Sequence, residues 1–136
     1  MKKLILLIII VSVAFACNNK LKTAQEYIDL GMENLQEKNY SEADFNFLKA
    51  LAVEPNNPQA LLGCISVKKI TKDYKIAIMF TNSAIKSNPQ FSGLFYNLRG
   101  EIRIDMGDKD SACIDFTTAG NFGDNKSIEN QNKYCK

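Results

Sequence analysis

Residues 40–55 read YSEADFNFLKALAVEP, and residues 74–89 read YKIAIMFTNSAIKSNP. Most positions differ, yet Tyr40, Ala43, Ala50 and Pro55 each recur 34 residues on, as Tyr74, Ala77, Ala84 and Pro89. Ala112 and Ala119 continue the series at a displacement of 35, with Asp124 where the proline would fall. What recurs is a set of small side chains at helical spacing, followed by a residue that stops a helix. Small side chains admit close helix crossings. A proline cannot continue a helix, so one must end near Val53. Units of this size bury their apolar faces against neighbouring units, and roughly three are needed for stability.

The period of 34, with small and aromatic residues so placed, resembles the tetratricopeptide repeat, in which each unit is a helix, a turn and a second antiparallel helix. On that pattern a first unit at about 24–57 places Tyr27, Leu30 and Gly31 on its first helix. Ala43, Phe47, Ala50 and Pro55 fall on its second helix and its end. Ser41 with Asp44 reads as a capping-box variant that opens the second helix. A second unit, about 58–92, begins on Pro58, a favoured first-turn residue. It keeps Leu61, Ala77, Ala84 and Pro89 and departs at Cys64, Ile65 and Thr81, the last with Phe80 beside it. A third unit, about 93–123, recovers Tyr96, Gly100, Gly107, Ala112, Phe116 and Ala119. Its Arg99 occupies a leucine position, and Leu98 is expected to take the buried role. Beyond it, at about 124–135, Ile128, Gln131, Asn132 and Cys135 follow helical spacing on a polar segment. A polar terminal helix would cover the last apolar face of the array; a disordered tail is the alternative. The resemblance implies an all-α tetratricopeptide solenoid over 24–136, three repeats plus a C-terminal capping helix.

Lys2 and Lys3 precede an apolar run of ten residues, Leu4 to Val13, and then the small-x-small boundary Ala14-Phe15-Ala16. This is the pattern of a signal peptide over residues 1–16. It is too short for a membrane span, which needs about 20 apolar residues. Cys17 follows the boundary directly and resembles the acylated cysteine of bacterial lipoproteins. Ala14 and Phe15 depart from the usual leucine and small residue of that motif, and simple cleavage after Ala16 is the alternative. Residues 17–23 would then be a lipidated cysteine and a linker reaching less than about 20 Å. The resemblance implies export and a lipid (palmitate-type) anchor in the cell envelope. The periplasmic face of the outer membrane is favoured, because Asn18 is not the aspartate of inner-membrane retention and no acidic surface-export motif follows.

Lysine and arginine number 17 against 15 acidic residues, and Lys2 and Lys3 account for the difference. A balanced chain has no electrostatic footprint for nucleic acid. There is no histidine and no tryptophan. No nucleophile elbow, phosphate loop or zinc signature is present, and Asp108 and Asp110 read as turn and cap residues. The sequence points to a non-enzyme with no cofactor and no metal. Once the repeats are placed, Cys64 is expected as a buried free thiol. Cys113, on the last repeat's second helix, and Cys135, on the capping helix, are the expected disulfide in an oxidising compartment.

Tetratricopeptide arrays hold partner segments in a groove made by their first helices. The resemblance therefore implies a membrane-anchored interaction module that binds a protein or peptide partner. The alternatives are a subunit of an outer-membrane assembly or secretion machine and, from another class, a glycan-binding lipoprotein. The groove positions are Ile28, Met32 and Leu35, then Leu62, Ser66 and Lys69, then Asn97 and Glu101. Ile28 and Met32 stand where chaperone-binding arrays carry a lysine and asparagine clamp for a C-terminal carboxylate, so that specificity does not carry over. Ile28 and Leu35 have a second reading as packing residues.

Overall fold

A computed structural model describes residues 21–136. The leader, Cys17 and the first part of the linker lie outside these residues. The described residues form seven α-helices: α1 (Ala24–Gln36), α2 (Tyr40–Val53), α3 (Pro58–Ile70), α4 (Tyr74–Ser87), α5 (Ser92–Asp105), α6 (Lys109–Asn121) and α7 (Asn125–Tyr134), with a 3-10 turn at Pro89–Phe91 between α4 and α5. Consecutive helices pack on one another, and α1 also touches α3 while α5 touches α7. Three helix pairs and a terminal helix are what the period implies.

Local chemistry sets the helix starts. Thr23 and Glu26 form a reciprocal capping box on α1, which satisfies two backbone donors that a helix start leaves open. The Asn57 side chain accepts from the N–H groups of Gln59 and Ala60, with Pro58 in the first turn of α3. Asp108 and Asp124 accept from the N–H groups of Ser111 and Ser127 and so cap α6 and α7. The Ser41–Asp44 capping box does not form. Helix α2 starts two residues earlier, with Asn39 rather than Ser41 at its cap and no side-chain bond there. Asp44 instead reaches across to α3, where Lys68 Nζ donates to it at 2.7 Å. A cross-repeat charge has displaced a local cap.

The turn inside each helix pair passes through the left-handed region at one position: Lys38 and Lys72 at φ 63°, and Gly107 at φ 83°. These positions are again 34 and 35 residues apart. Glycine adopts this conformation without steric cost and lysine does not.

The core explains the recurring small residues. The Phe47 ring is fully buried and lies between two glycines of successive repeats. A Cβ on Gly31 would sit 2.7 Å from the ring, and one on Gly63 would sit 2.4 Å from it. Phe116 lies against Gly100 in the same way, at 2.5 Å. In the middle repeat Thr81 takes the buried aromatic position, and its hydroxyl donates to the Ala77 carbonyl at 2.7 Å. Phe80 beside it packs half-buried against both apolar clusters, so one helical position has shifted the aromatic without emptying the core.

Candidate functional site

Helices α1 and α3 face each other across a pocket of about 340 Å³. Its apolar wall is Ile28, Met32 and Leu35 from α1 and Leu62 from α3, with Gly63 and Ser66 beside them. The spacing is helical, so each helix turns one side toward the pocket. Five of the eight anticipated groove residues meet here. They differ in availability. Ile28 is 4 % exposed and belongs to the first core cluster, whereas Met32 is 48 % exposed. Ile28 is thus a packing residue that also floors the pocket. Among the described residues that line the pocket, Asp29 contributes the one charged side chain, a residue the sequence reading did not single out.

The other three anticipated residues lie farther along and are spent on one another. Lys69 Nζ meets Glu101 Oε2 at 2.7 Å, and Lys126 of α7 meets Glu101 Oε1 at 2.7 Å. Asn97 donates to the same carboxylate at 3.3 Å, and Asn130 of α7 donates to the Asn97 side-chain oxygen at 2.9 Å. Asn97 is 1 % exposed, so it is withdrawn from the groove. The cause is α7, which lies over α5 and joins its network. Burial alone would raise the Glu101 carboxyl, but hydrogen bonds from Lys126 and Lys69 outweigh it and hold it below the usual glutamate range. The Lys126 ammonium is raised in turn, chiefly by its hydrogen bond to Glu101. A depressed carboxylate contributes stability above its unfolded pKa, and that contribution is lost as pH falls through the folded one. Acidification through and below the ordinary glutamate range therefore lowers the amide protection factors of α7, measured against intrinsic exchange at each pH, before those of α2–α4. Glu101→Gln should show the low α7 protection already at neutral pH, with no further loss across that range. Equal α7 protection factors in both proteins across that range would refute this role.

Residues 24–57 match the sequence profile of the tetratricopeptide repeat. Solved structures align over most of the chain. The first tetratricopeptide domain of Spaghetti (RPAP3), bound to the HSP90 peptide SRMEEVD, superposes with a TM-score of 0.75 at 20 % identity, covering 83 % of this chain and 90 % of that one. This is the tetratricopeptide fold. The Sgt2 domain from Aspergillus fumigatus gives 0.71 at 19 % identity over 81 % and 77 % of the two chains. The Yersinia enterocolitica type III secretion translocator chaperone SycD gives 0.71 at 16 % identity over 75 % of each. No curated protein matches the chain by sequence.

Within the tetratricopeptide array, one departure from the repeat pattern has a charged partner and another is a buried free thiol. Arg99 on α5 forks onto Asp115 of α6, with Nη2 to Oδ1 at 2.7 Å and Nε to Oδ2 at 3.0 Å. Arg103 Nη1 reaches the same Oδ2 at 2.7 Å. Leu98 packs against the second core cluster as anticipated, but the carboxylate partner went unseen. Cys64 is buried with its thiol pushed up to about 12, mainly by desolvation, which makes it a poor nucleophile. Cys113 of α6 and Cys135, the residue after α7, are joined by a disulfide with Cα atoms 5.7 Å apart. Of the face that its spacing suggested, the capping helix turns Gln131 and Cys135 toward α6 but not Ile128 and Asn132. Ser127 is buried, Tyr134 stacks on Phe116 at 6.2 Å, and Gln131 donates to Thr117 at 2.8 Å. Ile128 and Asn132 are exposed.

Proposed function

We propose that this chain is a lipid-anchored interaction module of the cell envelope that holds a segment of a partner protein between α1 and α3. The observation that carries this reading is the open apolar pocket, in which Met32, Leu35 and Leu62 from two successive repeats line one cavity. Apolar surface left open in this way usually marks contact. Solved structures of similar fold give a precedent: one is a tetratricopeptide domain holding an HSP90 peptide, and another is a translocator chaperone. Peptide recognition by helical grooves reads apolar anchors at helical spacing. Among the described residues that line the pocket there is no aromatic ring, which disfavours the glycan reading, since sugars stack on exposed aromatics.

The test is Met32→Glu with Leu62→Lys, which puts opposed charges on both walls while the core stays as it is. A photo-crosslinker at Leu35 in the native envelope should capture a discrete partner, and the double variant should lose that adduct. Retention of the adduct at wild-type yield, with helix content unchanged, would place the site elsewhere.

Anchoring rests on Cys17 at the signal-peptide boundary, and two or three acyl chains hold a protein stably where one does not. Cys17→Ser should move the protein from the membrane pellet to the soluble fraction, and mass spectrometry of the wild-type N-terminus should find acyl chains. An unmodified N-terminus would refute the anchor and leave the groove untouched.

A further inference from the structure

We propose that the segment held between α1 and α3 is cationic: an amphipathic partner helix whose apolar side chain enters between Met32 and Leu62 and whose lysine or arginine lies against Asp29. The proposal rests on the groove reading above and names the class of its occupant. Among the residues lining the pocket, Asp29 is the single charge. It sits on α1 three residues before Met32, so its carboxylate stands beside the apolar wall on the neighbouring side of the helix. Its hydrogen-bond partner is the neutral Gln25 amide at 2.8 Å, which leaves the charge unneutralised.

The two lysines at the end of α3 are committed to other carboxylates. Lys68 is held by Asp44 at 2.7 Å, and Lys69 by Glu101 at 2.7 Å with Asp105 at 3.9 Å. The outer edge of α1 has the same sign as Asp29. Asp29 and Glu33 line one depression in which Lys22 is the single cation among the described residues, and Lys22 lies over the Tyr27 ring at 5.8 Å. A basic side chain one helical turn from the anchor would meet this negative edge. An acidic one would meet like charge there, a juxtaposition that suppresses the wrong partner more than it strengthens the right one. The apolar wall supplies the contact area and Asp29 selects the sign, so salt should weaken binding only modestly.

The experiment is a displayed library of helical peptides with leucine fixed at two positions one turn apart. The flanking positions are drawn from lysine, glutamine and glutamate. Selection is run on the full-length protein and on Leu62→Lys. Lysine should be enriched over glutamate on the wild type. The selected peptide should bind Asp29→Asn about two- to fivefold more weakly, as expected for one exposed ion pair. Asp29→Lys should reverse the preference. Enrichment of glutamate, or no charge preference, overturns the cationic inference while enrichment dependent on Leu62 keeps the groove. Failure to enrich any peptide over Leu62→Lys overturns both. A dimer in light scattering that Met32→Glu dissolves would make a second copy the occupant, and that also overturns the proposal.

Discussion

Phe47→Ala should lower the unfolding free energy by about 3–5 kcal/mol, the range for removing a large buried aromatic. The ring is fully buried, and it is shared: Gly31 presses on it from its own repeat and Gly63 from the next. Its loss would therefore weaken the first helix pair and the contact between repeats together. In a solenoid the contact between units supplies much of the stability. The glycines give the sharper test. Gly63→Ala puts a methyl group within 2.4 Å of the ring, and such overpacking costs about 1–3 kcal/mol. In the Phe47→Ala background that cost should vanish, because the methyl then enters the space the ring has left. Contacting residues show non-additivity of this kind and distant ones do not. Denaturant unfolding of the two single variants and the double variant measures it. Additive losses would mean that the ring is not what excludes a side chain at Gly63.

The same contact shows what sequence could and could not reveal. Gly31, Ala43 and Ala50 fall on the repeat period, so their closeness to other helices was legible without coordinates. Gly63 falls off the period, since the residue 34 positions after Gly31 is Ile65. Its role depends on a ring from the preceding unit, and no local pattern encodes that. The groove divides in the same way. Met32, Leu35, Leu62 and Ser66 reach the pocket because position along a first helix fixes direction. Asn97 obeys the same rule but is covered, and Glu101 is taken up by ion pairs, because α7 folds back over α5 and brings Lys126 and Asn130 to them. The terminal helix was legible, and half of the face it turns inward was: Gln131 and Cys135 meet α6. The remaining contacts are polar and stacked, through Ser127 and Tyr134, so apolar spacing misdirected the reading to Ile128.

Asp115→Ala should cost about 3 kcal/mol, near the lower bound for removing one member of a buried ion pair. Asp115 is 1 % exposed, and both of its oxygens accept charged hydrogen bonds from Arg99 and Arg103. The Arg99 guanidinium is raised above its ordinary pKa, chiefly by its hydrogen bond to Asp115. Removing the carboxylate would leave two guanidinium groups close together with no counter-charge. They keep side-chain exposures of 18 % and 25 %, so water can recover part of the loss, which is why the lower bound applies. Arg99 also donates to Asn82 at 2.6 Å and lies over the Tyr96 ring at 5.0 Å, so its side chain ties α4, α5 and α6 together. That makes Arg99→Leu informative, since it places the leucine of the tetratricopeptide pattern at this position. Leucine there should still destabilise, because it would take a bidentate partner from a buried carboxylate. The double variant Arg99→Leu with Asp115→Ala should cost at least 1 kcal/mol less than the sum of the singles, as coupled members of one network do. Urea unfolding with the Cys113–Cys135 disulfide intact is the measurement. Restored stability in Arg99→Leu alone would show that the array holds together through its apolar positions and that the ion pair is incidental to it.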